Sequence, residues 1–180
     1  SLSAGPQHTC GVTSLKRVYC WGRNSSGQLG DGTSADRSTP TPVASTELFA
    51  TVTAGWDNTC AKTVAGATHC WGQYLWPWQS WSAERATPTR VPMLDALTDI
   101  DMDANVGCGR TMAGVSCWGD NRYGGIGDGT REMRSVPTPV RPVGWSRSVT
   151  AVEGNLQGVD VATPSLLPPT VIVRDGDGAP

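Results

Sequence analysis

One phrase recurs three times in this chain, and a period near fifty residues restricts the possible folds more than any single residue does. Residues 8–22 read HTCGVTSLKRVYCWG, residues 58–72 read NTCAKTVAGATHCWG, and residues 106–119 read VGCGRTMAGVSCWG. The triplet Cys-Trp-Gly falls at Cys20-Trp21-Gly22, Cys70-Trp71-Gly72 and Cys117-Trp118-Gly119, so the spacings from the cysteine numbers are 50 and 47. A glycine-rich stretch follows in the first and third copies, GQLGDGT at 27–33 and GGIGDGT at 124–130. A proline-bracketed segment then closes each copy: TPTPV at 39–43, TPTRV at 87–91 and VPTPV at 136–140. Ala4-Gly5 matches Ala54-Gly55 ahead of the first cysteine, whereas the third copy has Met102-Asp103.

The residue types inside the period specify strands. Residues 9–12 and 18–21 are short β-prone runs joined through 14–17, which reads as a hairpin, and Val43 and the run 48–52 add further strands. With 22 Gly, 13 Pro and eight Trp beside one Phe, turn residues abound and the long aliphatic stretches of helices are scarce. The expectation is an all-β chain of tandem four-stranded blades, a partial β-propeller of about three blades with an irregular C-terminal tail. The repeats are placed at 1–53, 54–101 and 102–150. Residues 151–180, which carry neither the second cysteine nor the Cys-Trp-Gly triplet, form a degenerate fourth repeat, cap or extended tail. A four-stranded blade buries its faces only against neighbours, so Trp21, Trp71 and Trp118 are expected to fill the layers between blades as equivalent core residues. The third hairpin has one residue fewer between its cysteines and must use a different turn.

The six cysteines fall into local pairs, Cys10/Cys20, Cys60/Cys70 and Cys108/Cys117. Antiparallel pairing across each hairpin would set the Cα atoms about 4.5 to 5.5 Å apart, within disulfide reach, and an oxidised framework implies a periplasmic or secreted location. Six reduced, buried thiols are the plainer alternative. Zinc sites use C-x(2–4)-C spacing, which is absent, and His8 and His69 in strand positions do not complete one. No metal and no cofactor is expected.

At this point the order AG-x-x-HTC, CWG-x-N-x-x-GQLGDGT and TPTPV, which extends over about 1–150, resembles the regulator of chromosome condensation repeat family in its cysteine-containing bacterial secreted form. The resemblance implies seven-bladed propellers, of which this chain supplies three clear blades. It is therefore expected to be part of a longer chain, an open arc against another protein, or one copy of an assembly that completes a propeller. The start at Ser1 fits a processed export product or a trimmed chain equally well.

For function, a formal charge of -2 disfavours nucleic acid and anionic membranes as partners. No run of 18 apolar residues occurs, so the described sequence is not itself membrane-spanning. No nucleophile elbow, phosphate loop or paired catalytic carboxylates are present, so the chain is read as no enzyme. Asp31 and Asp128 occupy matching turn positions, where a carboxylate bonds nearby backbone amides, and one Asp per turn is too few oxygens for calcium. The Asp175-Gly176-Asp177-Gly178 stretch lacks the other ligands of a calcium loop, and Asn24-Ser25-Ser26 matches a glycosylation acceptor.

The middle repeat breaks the pattern. Where its neighbours carry glycines it has Tyr74, Trp76, Trp78 and Trp81 within eight positions, which form either a local minicore or an apolar partner-binding surface. Arg122, Arg131 and Arg134 of the third repeat make a secondary charged patch suited to an acidic partner, or a solvated face. The favoured function is a non-catalytic, extracytoplasmic protein-binding or scaffolding module docked on another protein or larger complex. The resemblance also implies an alternative, a secreted inhibitor of an enzyme such as a β-lactamase. The founding member's nucleotide exchange on a small GTPase is disfavoured by the paired cysteines.

Overall fold

The computed structural model describes residues 1–73, 85–103 and 106–141. They form twelve strands and one 3-10 turn, Pro92–Leu94. The strands are β1 Leu2–Ala4, β2 His8–Val12, β3 Val18–Gly22, β4 Arg37–Pro42, β5 Phe49–Ala54, β6 Asn58–Thr63, β7 Thr68–Gly72, β8 Arg85–Arg90, β9 Ile100–Met102, β10 Val106–Thr111, β11 Gly114–Gly119 and β12 Arg134–Pro139. Three antiparallel sheets take them in chain order, β1 to β4, β5 to β8 and β9 to β12, so the all-β, four-stranded blade expectation holds. Sequence repeat and sheet are offset by one strand: residues 49–53 fall in the first sequence unit, yet β5 pairs with β6 in the second sheet. The tail at 151–180, expected to form a degenerate fourth repeat, cap or extended tail, lies outside the described residues.

The cysteine phrase now has a structural reason. Cys10 stands opposite Cys20, Cys60 opposite Cys70 and Cys108 opposite Cys117, and all three pairs are disulfides with Cα separations of 4.1, 4.0 and 4.1 Å. In each sheet the pairing between the third and fourth strands shifts across the Cys-Trp-Gly triplet, so the Trp sits at a bulge. The glycine after it takes a φ of +114° at Gly22, +89° at Gly72 and +108° at Gly119, a region that a side chain would strain. The third hairpin turns differently, as its length requires. Two residues separate the paired Thr111 and Gly114, where five separate Val12 from Val18 and Lys62 from Thr68.

Blades stack by one repeated contact. Cys10, Val18, Cys20, Leu29 and Val43 of the first blade pack against Phe49, Val52, Ala61 and Trp71 of the second. Cys60, Cys70, Leu94 and Leu97 then pack against Trp118, with Ile100 and Met102 beside it. The first two disulfides therefore each share a core with the tryptophan of the next blade. This corrects the expected equivalence of the three tryptophans. Trp71 and Trp118 are 0% and 2% exposed, but Trp21 is only half-buried, because no blade among the described residues stands in front of it.

Burying an indole under a neighbouring sheet sets the expected mutational costs. Trp71→Ala and Trp118→Ala are each expected to lose about 3 to 5 kcal/mol, as large core truncations do, while Trp21→Ala loses about 1 kcal/mol. Chemical denaturation of the three variants checks the order, and equal losses at all three positions would contradict the stacking just described. Each disulfide closes a loop of about ten residues and contributes roughly 2 to 3 kcal/mol in the chain-entropy model. Mass spectrometry of a non-reduced digest is expected to recover three local linkages and no free thiol.

Candidate functional site

Antiparallel order sends two sets of connections to the same end of the sheets. These are the short turns ahead of β2, β6 and β10, and the long connections 23–36, 73–84 and 120–133. Backbone bonds tie the two sets together: the Arg23 amide donates to the Gln7 carbonyl at 3.0 Å, and the Gln73 amide to that of Asp57 at 2.7 Å.

The rigidity of this end comes from a buried asparagine in each glycine-rich connection. Asn24 is fully buried; its side-chain oxygen accepts from the Leu29 amide at 2.9 Å, and its Nδ2 donates to the carbonyls of Thr33 and Ala35, both at 3.0 Å. Asn121 repeats this, accepting from the Ile126 amide at 3.0 Å and donating to the Thr130 carbonyl at 3.0 Å. The glycosylation reading of Asn24 is thereby corrected, since its amide nitrogen is enclosed and already bonded. Asp31 and Asp128 behave as the turn positions imply, accepting from the amides of Thr33 and Thr130, both at 2.9 Å. Burial alone pushes the Asp128 carboxyl up, but the Thr130 hydroxyl and amide, then Arg134, outweigh it and hold it at about 2.

Between blades, the Gln28 carbonyl is the shared acceptor. The Trp71 indole N–H and the Thr59 hydroxyl both donate to it at 2.8 Å. With its proton committed there, Thr59 accepts from His8 Nε2 at 2.7 Å, which assigns the neutral tautomer of His8. Burial pushes His8 down to about 4, and its Nδ1 has no hydrogen-bond partner. Gln28 also donates from Nε2 to Asp57 at 3.1 Å.

The arginines of the proposed patch differ in what they are free to do. Arg134 is occupied by Asp128 and Glu132, Arg122 pairs with Asp120 while remaining 70% exposed, and Arg131 is exposed. All three lie on or at the end of the connection between β11 and β12. Tyr74, Trp76, Trp78 and Trp81 lie outside the described residues. They belong to the connection between Gly72 of β7 and Arg85 of β8, which leaves and re-enters its sheet at this same end.

Two aromatic side chains here were not singled out from the sequence. Trp56 is 44% exposed in the turn between β5 and β6, and Tyr123 is 93% exposed beside Arg122. The usable sign for Trp56 was its replacement of Pro6 at the matching place after Ala-Gly; Tyr123 carries no repeat-based sign.

Among the described residues no group of three or more His, Cys, Asp or Glu is placed to hold a metal ion. A cavity of about 360 Å³ at the opposite end is lined by Arg17, Tyr19, Pro42 and Phe49 among others. Its guanidinium is committed to structure, donating to the Thr46 carbonyl at 2.9 Å.

A family profile described as the regulator of chromosome condensation (RCC1) repeat matches residues 17–61, and a second profile of that description matches residues 1–28. The chain belongs to the regulator of chromosome condensation repeat family. It is 30% identical over 156 residues to the ultraviolet-B receptor UVR8 of Arabidopsis thaliana, covering 78% of this chain and 34% of the receptor. It is 26% identical over 166 residues to the secretion-regulating guanine nucleotide exchange factor of Mus musculus, covering 77% of this chain and 35% of that protein. The crystal structure of Prp20p from Saccharomyces cerevisiae superposes with a TM-score of 0.66 at 16% identity, over 79% of this chain and 38% of that one, and shows the same fold. The chain thus spans about a third of the length of these relatives.

Within this RCC1-repeat arc, His8 makes one blade contact pH-sensitive. From about pH 6.5 down to about pH 4 the unfolded chain takes up a proton that the folded one refuses, so stability falls as pH drops through that window and is unaffected above it. The loss is on the order of 3 kcal/mol. Asn58 occupies the equivalent register position in the second blade, opposite Gly72 as His8 is opposite Gly22. His8→Asn is therefore expected to remove most of this pH dependence in urea unfolding, leaving the carboxylate-driven loss at lower pH.

Proposed function

We propose that this RCC1-repeat chain is a protein-binding module acting outside the cytoplasm, and that the connection end of its blades contacts the partner. One observation carries the reading: Trp56, and Tyr123 with its chain neighbour Arg122, stand exposed at the end of the blades from which the middle blade's β7–β8 connection also leaves its sheet. Aromatic rings and arginines on a rigid scaffold are the residue types that dominate protein interfaces. The buried Asn24 and Asn121 hubs supply that rigidity. Three disulfides are compatible with an oxidising compartment, and among the described residues no helix is long and apolar enough to cross a membrane. The structure of Prp20p is described with binding properties to Gsp1p and histones, so protein partners have precedent on this fold.

Nucleotide exchange is the second reading, favoured by the mouse relative's being an exchange factor. The disulfide framework counts against it, because a small GTPase partner would meet this chain in a reducing compartment.

Photo-crosslinking tests the site. A benzophenone side chain at Trp56, Trp76 or Tyr123 is expected to capture a protein partner, whereas one at Leu15 or Met112, exposed at the other end, captures none. Trp56→Ala and Trp78→Ala are then expected to weaken binding of the captured partner by about 2 kcal/mol each with little change in melting temperature. Crosslinks from the Met112 end alone, or affinity lost only in step with stability, would sink the assignment.

A further inference from the structure

Each blade begins its fourth strand with an arginine at one register position: Arg37 opposite Gly22, Arg85 opposite Gly72 and Arg134 opposite Gly119. In the first and third blades this arginine closes the glycine-rich connection from inside. Arg37 Nε donates to Asp31 at 2.8 Å and Arg134 pairs with Asp128, and the two carboxylates are only 4% and 3% exposed. Both aspartates lie six positions ahead of their arginine, and the buried Asn24 and Asn121 lie two positions after the glycine of Cys-Trp-Gly.

The middle blade keeps the arginine and replaces the groups it serves. Tyr74 stands two positions after Gly72, Gln79 stands six positions ahead of Arg85, and residues 73–83 contain no Asp or Glu. Glu84 holds the place of Asp36, which in the first blade accepts from the Asn24 amide at 2.8 Å while Arg37 pairs with Asp31. Arg85 is half-buried, and among the described residues no carboxylate or other acceptor reaches its guanidinium. Its backbone is fixed nonetheless. β8 pairs with β7 on one side, and on the other the Gly32 amide of the first blade donates to the Ala86 carbonyl at 2.9 Å.

A guanidinium keeps its charge at every working pH, so a half-buried one without a counter-charge favours the arrival of an anion. A carboxylate suits it best, because two oxygens match the planar fork of donors. We propose that Arg85 anchors an acidic side chain of the protein partner, which takes the place that Asp31 and Asp128 fill in the neighbouring blades. The inference rests on the connection end being the partner surface, and it gives the partner a chemistry: an acidic residue set among apolar ones. The apolar part follows from Tyr74, Trp76, Trp78 and Trp81 in the same stretch of chain. Because β8 is already held on both sides, the arginine's backbone needs no ordering when the carboxylate arrives.

Two measurements on the chain alone test this position. Arg37→Gln leaves the buried Asp31 carboxylate without its cation and is expected to lower the melting temperature, whereas Arg85→Gln, which strands no acid, is expected to leave it unchanged. A loss from Arg85→Gln equal to that from Arg37→Gln would mean that the chain itself supplies the counter-charge, and would overturn the proposal. Titration with the peptide acetyl-Glu-Glu-Glu-amide is then followed by the Nε–H resonances of the arginines. Arg85 is expected to move at lower peptide concentration than the exposed Arg131, with Arg37 and Arg134 unmoved. The neutral acetyl-Gln-Gln-Gln-amide is expected to move none of them. Arg85 moving no sooner than Arg131, or only after Glu84→Gln is introduced, would also overturn the proposal.

The third measurement uses the partner captured by crosslinking at Trp56 or Tyr123. Arg85→Gln is expected to weaken its binding roughly tenfold or more, mainly through faster dissociation. A partner that binds Arg85→Gln as tightly as the unmodified chain would leave the partner surface standing and overturn the role of Arg85. A responsive Arg85 with no protein captured at those positions would do the reverse, sinking the partner surface and with it a protein as the source of the carboxylate.

Discussion

The layer between blades, a disulfide of one sheet pressed under the tryptophan of the next, is the interaction on which the rest of this structure depends. A four-stranded antiparallel sheet has two faces and no interior, so it is stable only when something covers it. Here the cover is a large flat indole whose apolar body lies on the cysteine bridge. Its polar N–H reaches the neighbour's backbone, and for Trp71 that acceptor is the Gln28 carbonyl. A disulfide suits the opposite side of the layer because it is compact and lies across two strands at once. It locks the hairpin register, and register decides which face every side chain occupies.

The glycine-rich turn joins stability to function. It must present a bare carbonyl to the next blade's donors, and a side chain at Gly30 would strike the Trp71 ring. It must also hold its shape without help from strand pairing, which a buried asparagine and an aspartate–arginine pair achieve from inside. The same end of the blades is left stiff and studded with exposed aromatic and basic side chains. Such a surface can bind a protein at little entropic cost, because the scaffold beneath it is already ordered. In the first blade residues 27–30 of the turn are all buried; in the third Ile126 is buried but Gly125 is exposed. One piece of sequence therefore serves as internal glue or outer surface according to what stands beside it.

Much of this was legible in the chain itself. The Cys-Trp-Gly spacing, the even cysteine count and the proline-bracketed segments established three four-stranded, disulfide-bearing units, because covalent geometry and turn chemistry are local properties. The roles of Asp31 and Asp128 followed from turn position alone, and so did the shorter third hairpin. The reading of Asn24 as a glycan acceptor did not survive, because a three-residue motif carries no information on burial. Exposure of Trp56 and Tyr123 was equally illegible, since whether a ring is covered depends on elements distant in the chain.

The sequence by itself determined the blade: its strands, its bridge, its bulge and its turn, all made by residues near one another and repeated until the pattern was unmistakable. Only the tertiary structure decided what three such blades become together. Trp21, Trp71 and Trp118 stand in identical local sequence, yet two are sealed and one is half-open, because burial depends on having a neighbour in front. Leu2 and Val52 share one register position and differ for the same reason. Stacking is a relation between copies of a motif, and a motif read along the chain does not contain it.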